Sequence, residues 1–553
     1  MSRLGTKQYG SEDWLEAAAY GFNGGINCKA VPQELDDADL TSCVNVYLRS
    51  DGGIEQRKGY SSVGGPITLV SAGASPSQGL VRFIQSVFNN APATPYKKWL
   101  LQQYNTRNII DATTGAAPAG VANPVFVASA LPWNTAVILD GDHVGAGSNV
   151  GASDVLIIAN GDPNGPFIYD GANAPYRPAG WAGVAGAKYV QVVNNIVWFS
   201  GMPIQPNLVY GTLLGHPEQL GYAFSMSAVV NGLSILGSGA QAALCVGMSR
   251  GLSLIYGTYP GNYTQQDIPV NDGVTSGRAM IAIYGMVYFL GRQAIYVFDG
   301  QSAPQRISDK VEPWILGDPY ATFPSYAMQG DRSQYWAFYY NNKIFWVYDT
   351  AGVGVLSTML CYDLVNQGWT IQVPNDPMVA YASLNGPGDP SPEQGVILSQ
   401  SSGQPWFWDT YAGGLSTADA WNGTTGVNIP ASFQTKYFKV GVPGTPKRIM
   451  RWYPEFFAGT TSFTLSVIND YGTSSQVGAF NSIGGTYFYD SVSSLYGSAL
   501  WSTGTRSFFG APATRTDLNL QGEAFSFGVS SNGQNQPWVF QGFSLNYAQE
   551  ARV

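Results

Sequence analysis

Short apolar runs alternate with polar residues along most of this chain, and each run closes on a turn rich in Gly, Asn or Asp. A period of two marks strands with one buried face, whereas an amphipathic helix repeats every three to four residues. The clearest instance runs from Ile281 to Ser308. There MVYFL and AIYVF flank a tight Gly291-Arg292-Gln293 connection, and Asp299-Gly300 ends the second run, which predicts a β-hairpin. The end of that hairpin, Val297-Phe298-Asp299-Gly300, recurs as Ile168-Tyr169-Asp170-Gly171, Val209-Tyr210-Gly211-Thr212, Ile255-Tyr256-Gly257-Thr258, Val347-Tyr348-Asp349-Thr350 and Phe407-Trp408-Asp409-Thr410. In chain order the aromatics are spaced by 41, 46, 42, 50 and 60 residues, and a fainter copy stands at Ile109-Ile110-Asp111-Ala112. Each interval holds several strand-like runs, and roughly 40–50 residues per four-stranded unit is the period of a propeller blade.

The expected fold is therefore all-β: a β-propeller-like repeat array of about six blades, with an N-terminal arm and a C-terminal β-sandwich. Residues 1–60 are read as the arm and a first strand pair, 61–430 as the propeller with loop insertions, and 431–553 as the antiparallel sandwich. Within the arm, Ser11 to Tyr20 is read as a short helix, followed by a strand from Val44 to Leu48 and a return strand ending near Tyr60. Three Gly-, Pro-, Ser- and Ala-rich stretches, Ser71–Gln78, Thr113–Gly120 and Asn385–Gln394, read as loops, and Tyr411–Pro430 as a linker. In the last region Phe463, Leu465 and Val467 share one face of a strand.

Composition narrows the function classes. Charged residues make up 11% of the 553 residues, and 27 basic against 36 acidic side chains leave a net charge of −9. A protein gripping nucleic acid over a large surface is usually basic, so tight, extensive phosphate binding is not expected. No apolar run is long enough for a membrane-spanning helix, and the N-terminal stretch lacks a signal-peptide core. Cys28, Cys43, Cys245 and Cys361 are widely spaced without a C-x-x-C pair, which suggests inert, partly buried thiols made in a reducing cytoplasm.

Candidate chemistry is sparse. His143 and His216 sit in Gly-rich turns and read as surface residues, and no nucleotide, zinc-protease or serine-hydrolase motif occurs. The acidic cluster Glu34, Asp36, Asp37 and Asp39 lacks the spacing of a calcium loop and reads as a solvated turn. The strand-end acids Asp170, Asp299, Asp349 and Asp409 suggest paired carboxylates of a glycosidase, but aspartate at such turns more commonly accepts backbone N–H bonds. No cofactor, metal or catalytic residue is assigned. The sharpest electrostatic feature is Lys436, Lys439, Lys447, Arg448 and Arg451, with no acid between Ala431 and Pro454. These five are candidate contacts to DNA or an acidic partner; otherwise they form a solvated sandwich face.

Several short patterns resemble one family in their order. Gly24-Gly25-Ile26-Asn27, the Glu34-Leu35 turn, Asn45-Val46, and Gly53-Ile54 leading to Arg57-x-Gly59-Tyr60 resemble the opening of the tail nozzle (tail tubular, tail hub) proteins of short-tailed bacteriophages. Pro206 to Tyr210, Leu252 to Gly257, Gly273 to Gly300, Tyr362-Asp363 with Gly368-Trp369, and the closing W-x-x-x-G-x-x-L-x-Y pattern from Trp538 are similar to later parts of that family. The resemblance implies a structural virion protein, not an enzyme. It would form a homohexameric ring beneath the head-to-tail adaptor, bear tail fibres or spikes, and pass double-stranded DNA during ejection. It would be made in the host cytoplasm and located in the tail of the virion, with no membrane insertion. The other readings of the same residues are a glycan-binding tail receptor protein and a propeller glycosidase.

Overall fold

The computed structural model describes residues 8–9, 14–62, 79–88, 91–104, 108–111, 132–143, 151–257 (without 172 and 174), 261–383, 395–400, 405–410, 418–419, 426–458 (without 443), 462–469, 473–481, 507–508, 520–533 and 538–549. The loops predicted at 71–78, 113–120 and 385–394 lie outside them, as does most of the 411–430 linker. The described chain is mostly strand, and Glu312–Leu316 is its only α-helix.

Antiparallel units follow one another along the chain. The first is Leu80–Phe88, Ala91–Tyr104 and Asn108–Asp111; the second is Asn134–His143, Gly151–Ala159 and Phe167–Tyr169. The third (Tyr189–Val193, Ile196–Ser200, Leu208–Leu213, His216–Ser225) and the fourth (Val230–Leu236, Ala243–Met248, Leu252–Tyr256, Thr264–Ile268) are four-stranded. The fifth is Met280–Ile283, Met286–Leu290, Ile295–Phe298 and Gln305–Arg306, which contains the predicted hairpin in the register Leu290 opposite Ile295. The sixth is Trp336–Tyr340, Lys343–Tyr348, Thr358–Asp363 and Trp369–Gln372. The seventh, Met378–Ser383, Val396–Gln400 and Pro405–Thr410, takes its fourth strand, Gly59–Ser62, from the other end of the chain.

The repeated aromatic marks the third strand of its unit at Tyr169, Tyr210, Tyr256, Phe298 and Trp408, and the faint copy at Ile110 does the same. Tyr348 is the exception, because it ends the second strand of the sixth unit. The equivalent there is Tyr362-Asp363. Both positions end in an aspartate that caps a turn, so the local pattern is the same and only the pairing separates them.

Each unit buries an apolar face against the next. Phe83 and Leu101 of the first meet Leu156 and Ile158 of the second, and Ile138 and Ile157 meet Val190 and Phe199 of the third. Trp198 meets Leu233 and Val246 of the fourth, and Cys245 and Leu254 meet Val287 and Phe289 of the fifth. The fifth to seventh units share a large core through Leu290, Trp336, Trp346, Leu398 and Trp408. Leu80 and Leu100 of the first unit then pack on Ala380, Ala382 and Ile397 of the seventh. A four-stranded sheet cannot bury both faces alone, and each fully buried Leu, Val or Phe is worth about 1.5–3 kcal/mol.

Two larger sheets join the chain ends. Residues 14–62, grouped above as an arm, contribute strands to both. Asp39–Val44 lies between the sixth unit and Ile429–Thr435, in a ten-stranded sheet that continues to Phe525–Gly533, Ser462–Asn469 and Thr473–Asn481. The eight-stranded sheet sets Lys447–Ala458 and Trp538–Gln549 beside Trp14–Tyr20 and Ile54–Gln56. The two sheets face each other through phenylalanines, with Phe527 and Phe543 ring centroids 4.4 Å apart and Phe433 and Phe540 4.7 Å apart. The helix expected over Ser11–Tyr20 is instead a strand across Trp14–Tyr20, paired residue by residue with 542–548. Ala17 and Ala19 point inward with period two, so distant pairing overrides the helical preference of the alanines.

Candidate functional site

The strongest concentration of buried polar chemistry lies where the N-terminal strands cross the sixth and seventh units. Asn45 adopts a left-handed φ of 54°, which ends Asp39–Val44 and redirects the chain into Val46–Leu48. Its side chain donates to the Pro430 carbonyl (2.7 Å), and its Oδ1 accepts from Val373 N (2.8 Å) and Arg57 Nε (2.9 Å). The Arg57 fork then meets Asp419, with Nη1 to Oδ1 at 2.6 Å and Nη2 to Oδ2 at 2.5 Å, both side chains fully buried. Arg57 also lies 5.3 Å over the Trp408 ring, and Asp419 accepts from Asn375 N. Burial, the larger influence, pushes the Asp419 carboxyl up, and the Arg57 fork pulls against it.

Glycines make the same junction possible. At Gly59 a Cβ would stand 1.6 Å from the Ala418 carbonyl oxygen. At Gly25, φ is +71° and a Cβ would stand 2.4 Å from Trp369 N. Tyr60 closes the cluster, donating to Asp376 (2.8 Å) and stacking on Trp408 at 6.1 Å. The short motifs Gly24-Gly25-Ile26-Asn27, Asn45-Val46, Arg57-x-Gly59-Tyr60 and Gly368-Trp369 therefore meet at one seam.

The acidic cluster splits between two lysines. Asp39 is buried, 2.6 Å from Lys310 Nζ, and accepts from Asn27 Nδ2 (2.9 Å). Asp37 pairs with Lys436, whose Nζ also reaches the Leu35 carbonyl (3.0 Å). Glu34 and Asp36 are exposed.

The five predicted bases do not share one environment. Lys436 is held by Asp37 and lies 5.5 Å over the Phe438 ring. Lys447 is fully buried and donates to the Val442 carbonyl (2.6 Å). Arg448 is half-buried on Lys447–Ala458, Lys439 is exposed, and Arg451 is placed on that strand by its backbone, opposite Asn546.

Three of the four strand-end aspartates accept bonds within their own turns. Asp170 accepts from Asn173 N (2.8 Å), Asp299 from Gln301 N and Ser302 N, and Asp349 from the N–H groups of Ala351, Gly352 and Gly354. Backbone donors to Asp299 hold its carboxyl below the ordinary value. Asp409 differs from the expected turn former. It is buried with φ 57°, at the point where the ladder to Gly59–Ser62 slips between Trp408 and Thr410. Its Oδ1 has no hydrogen-bond partner. Burial pushes its carboxyl up to about 6, while Lys58 and Lys343 draw it down. The nearby Tyr47 hydroxyl is also buried without a partner, and burial, then the Asp409 charge, raise it well above the ordinary phenol range. Spacing could not reveal this, because Asp409 has the same local sequence as the turn formers.

All four cysteines are buried free thiols, more enclosed than the sequence suggested. Burial pushes Cys28, Cys245 and Cys361 up to about 12 and Cys43 higher still, which keeps them protonated. His216 opens the strand His216–Ser225, and His143 ends Asn134–His143 opposite Gly151, so both stand on strands where turns were expected. In the fifth unit Asp272 organises the hairpin tip, accepting from Arg292 N (3.0 Å) and Gln293 N (2.9 Å), and the Arg292 side chain is exposed. A groove of about 560 Å³ crosses the ten-stranded sheet, lined by Ser432, Ser530, Thr464, Asn45 and Tyr326, with no charged group.

No family model matches the chain, and no curated protein matches it. Among solved structures it is similar to BBS1N in complex with ARL6DN (11% identity, 51% of this chain and 84% of that chain, TM-score 0.32). It is similar to the AfRom2 CNH domain at 9% identity, over 50% and 86% of the two chains, with a TM-score of 0.27. An extracellular domain from B. thetaiotaomicron aligns at 10% identity over 87% of this chain and 65% of that chain, with a TM-score of 0.36. Likenesses at this level carry no functional argument.

Proposed function

We propose that this chain is a structural virion protein that builds a tail nozzle ring, extending the portal-adaptor channel and conducting or gating genomic DNA during ejection. The observation that carries the reading is the seam. The short motifs similar to the nozzle family are scattered along the sequence, yet their residues are the ones that lock the chain ends to the repeat array. A wall under the pressure of a packaged genome needs ends that do not unzip, and this junction supplies buried ion pairing and interleaved strands.

The repeat array is read as a propeller of seven blades, one more than the sequence interval suggests, with Gly59–Ser62 completing the last blade beside Pro405–Thr410. On this reading residues 61–430 form the propeller, 431–553 the sandwich, and 1–60 a strap across both. The protein is a homohexamer beneath an adaptor ring, with fibres or spikes as further partners, located in the virion tail after synthesis in the host cytoplasm. Its work is mechanical and no catalytic step is assigned. Lys436 and Lys447 have internal roles, and the exposed Lys439 is the base proposed to meet DNA or an adaptor. Six copies carry six times the net charge of −9, so phosphates are repelled on balance and DNA slides without sticking.

Mass photometry and negative-stain imaging test the assembly, with and without an adaptor ring; a hexameric ring is expected. Retention of DNA by the purified rings at physiological salt tests the sliding. A stable monomer or trimer that binds or cleaves polysaccharide would overturn the nozzle reading, and tight DNA retention would overturn the acidic conduit. One observation favours a second reading, glycan binding. Tyr284 is 71% exposed at a left-handed turn, and its hydroxyl meets those of Tyr339 (2.6 Å) and the Asn342 Oδ1 (2.9 Å), an aromatic and polar platform on neighbouring units.

A further inference from the structure

Arg278 stands just before Met280–Ile283, the first strand of the fifth unit. Its Nη2 donates to the Val379 carbonyl (2.7 Å) on the first strand of the seventh unit. Its guanidinium carbon lies 5.9 Å over the ring of Trp336, on the first strand of the sixth. Beside it, a Cβ built at Gly277 would stand 2.7 Å from Tyr189, on the first strand of the third. First strands of the sixth and seventh units, and of the more distant third, thus gather around this one residue.

Two features there lack a counterpart. The Val379 bond is the only hydrogen bond of Arg278 among the described residues, and no carboxylate joins the Tyr381 and Tyr189 phenols that act on it electrostatically. The Trp336 indole N–H, on the ring beneath, is buried with no acceptor. Tyr381 stacks on that indole at 5.6 Å and 7°, so the ring cannot turn easily to find one. A partly buried cation normally has an anion, and a buried N–H normally has an acceptor. Both deficits have the same sign: donors and positive charge without an acceptor.

We propose that Arg278, with the Trp336 indole N–H, forms a binding site for a small oxyanion at the convergence of the first strands. The guanidinium fork presents paired donors matched to two oxygens of such a group. Trp336, Tyr381 and Tyr189 form an aromatic surround of low polarity, which strengthens charge-assisted bonds. The site is independent of the nozzle reading.

The test is calorimetric titration of the full chain with inorganic phosphate, with chloride at matched ionic strength as the reference. Thermal unfolding is followed in parallel. Saturable binding near one phosphate per chain, with a raised unfolding midpoint, is expected for the wild type. Arg278→Met should weaken phosphate binding by at least about tenfold, and Trp336→Phe, which keeps the stacked ring and removes the N–H, by several-fold. Arg278→Lys should fall between the wild type and the methionine variant, because it keeps the charge and loses the fork. If Arg278→Met does not fold, Trp336→Phe and Arg278→Lys decide the matter. Equal midpoints in phosphate and chloride, or unchanged phosphate affinity in the folded variants, would overturn the proposal and leave a bound water as the acceptor.

Discussion

Arg57 and Asp419, 362 residues apart, form a fully buried fork-to-fork ion pair at 2.6 and 2.5 Å. Arg57 also bonds Asn45, and Asp419 bonds Asn375 N, so one pair ties the N-terminal strands to the segments following the sixth and seventh units. Removing one partner leaves the other charge buried, and Arg57→Leu or Asp419→Asn should each cost about 3–5 kcal/mol. The double variant carrying both Arg57→Leu and Asp419→Asn should cost clearly less than the two single losses together. Denaturant unfolding of all four proteins measures the coupling, and strict additivity would show that the pair does not act as a unit. Amide exchange should rise first along Gly59–Ser62, because Arg57 anchors the entry to that strand.

The close approach at the same seam predicts a sharp contrast among glycines. Gly59→Ala sets a Cβ 1.6 Å from the Ala418 carbonyl oxygen, a clash with backbone that only a shift of the strand relieves. Gly354 has φ +80° but open space around its Cβ position, so alanine there meets only conformational strain, about 1–2 kcal/mol. Gly59→Ala should exceed that by at least about 2 kcal/mol, or yield no soluble protein. Expression and thermal midpoints of the two variants decide it.

The strand-and-turn plan was legible because it is local. Alternation, turn residues and a repeated aromatic-Asp ending located the third strand of nearly every unit. What was missed depends on distant partners. Trp14–Tyr20 becomes a strand because Trp14 pairs with Ala548, and no short window contains that pairing. Tyr348 and Tyr362 both precede a turn-capping aspartate, so only the ladder reveals which one ends the third strand. The basic stretch looked uniform in sequence, but Lys436 finds Asp37 and Lys447 turns inward to Val442. Asp409 shares its neighbours' motif and not their environment, because the ladder slips beside it and N-terminal residues cover it.

Burial of the four thiols predicts chemical silence. With Cys28, Cys245 and Cys361 pushed up to about 12, and Cys43 beyond, the thiolate is scarce in the folded protein at pH 8. A disulfide reagent should modify native protein at least about a hundredfold more slowly than a free thiol, since access and ionisation both limit it. All four should react at once in denaturant. A fast phase in the native protein would identify a thiol exposed by local opening.

Asp409 makes stability depend on pH in a definite direction. Its folded-state pKa is about 6 against an ordinary value of 3.8, chiefly through burial. Below about pH 4 the carboxyl is protonated in both states, and its favourable contribution is fully present. As pH rises to 6 the unfolded chain releases the proton while the folded chain holds it, so folding loses stability across that window. The loss amounts to roughly 3 kcal/mol and is complete above the folded value. Asp409→Asn keeps the shape and cannot ionise, so it should remove this slope, while the groups its charge raises, such as the Tyr47 hydroxyl, titrate far above this window. The stability of the variant relative to wild type should therefore rise between pH 4 and pH 7 by about that amount, measured by denaturant unfolding at both values. Parallel pH profiles would mean that Lys58 and Lys343 already hold Asp409 ionised in the folded protein.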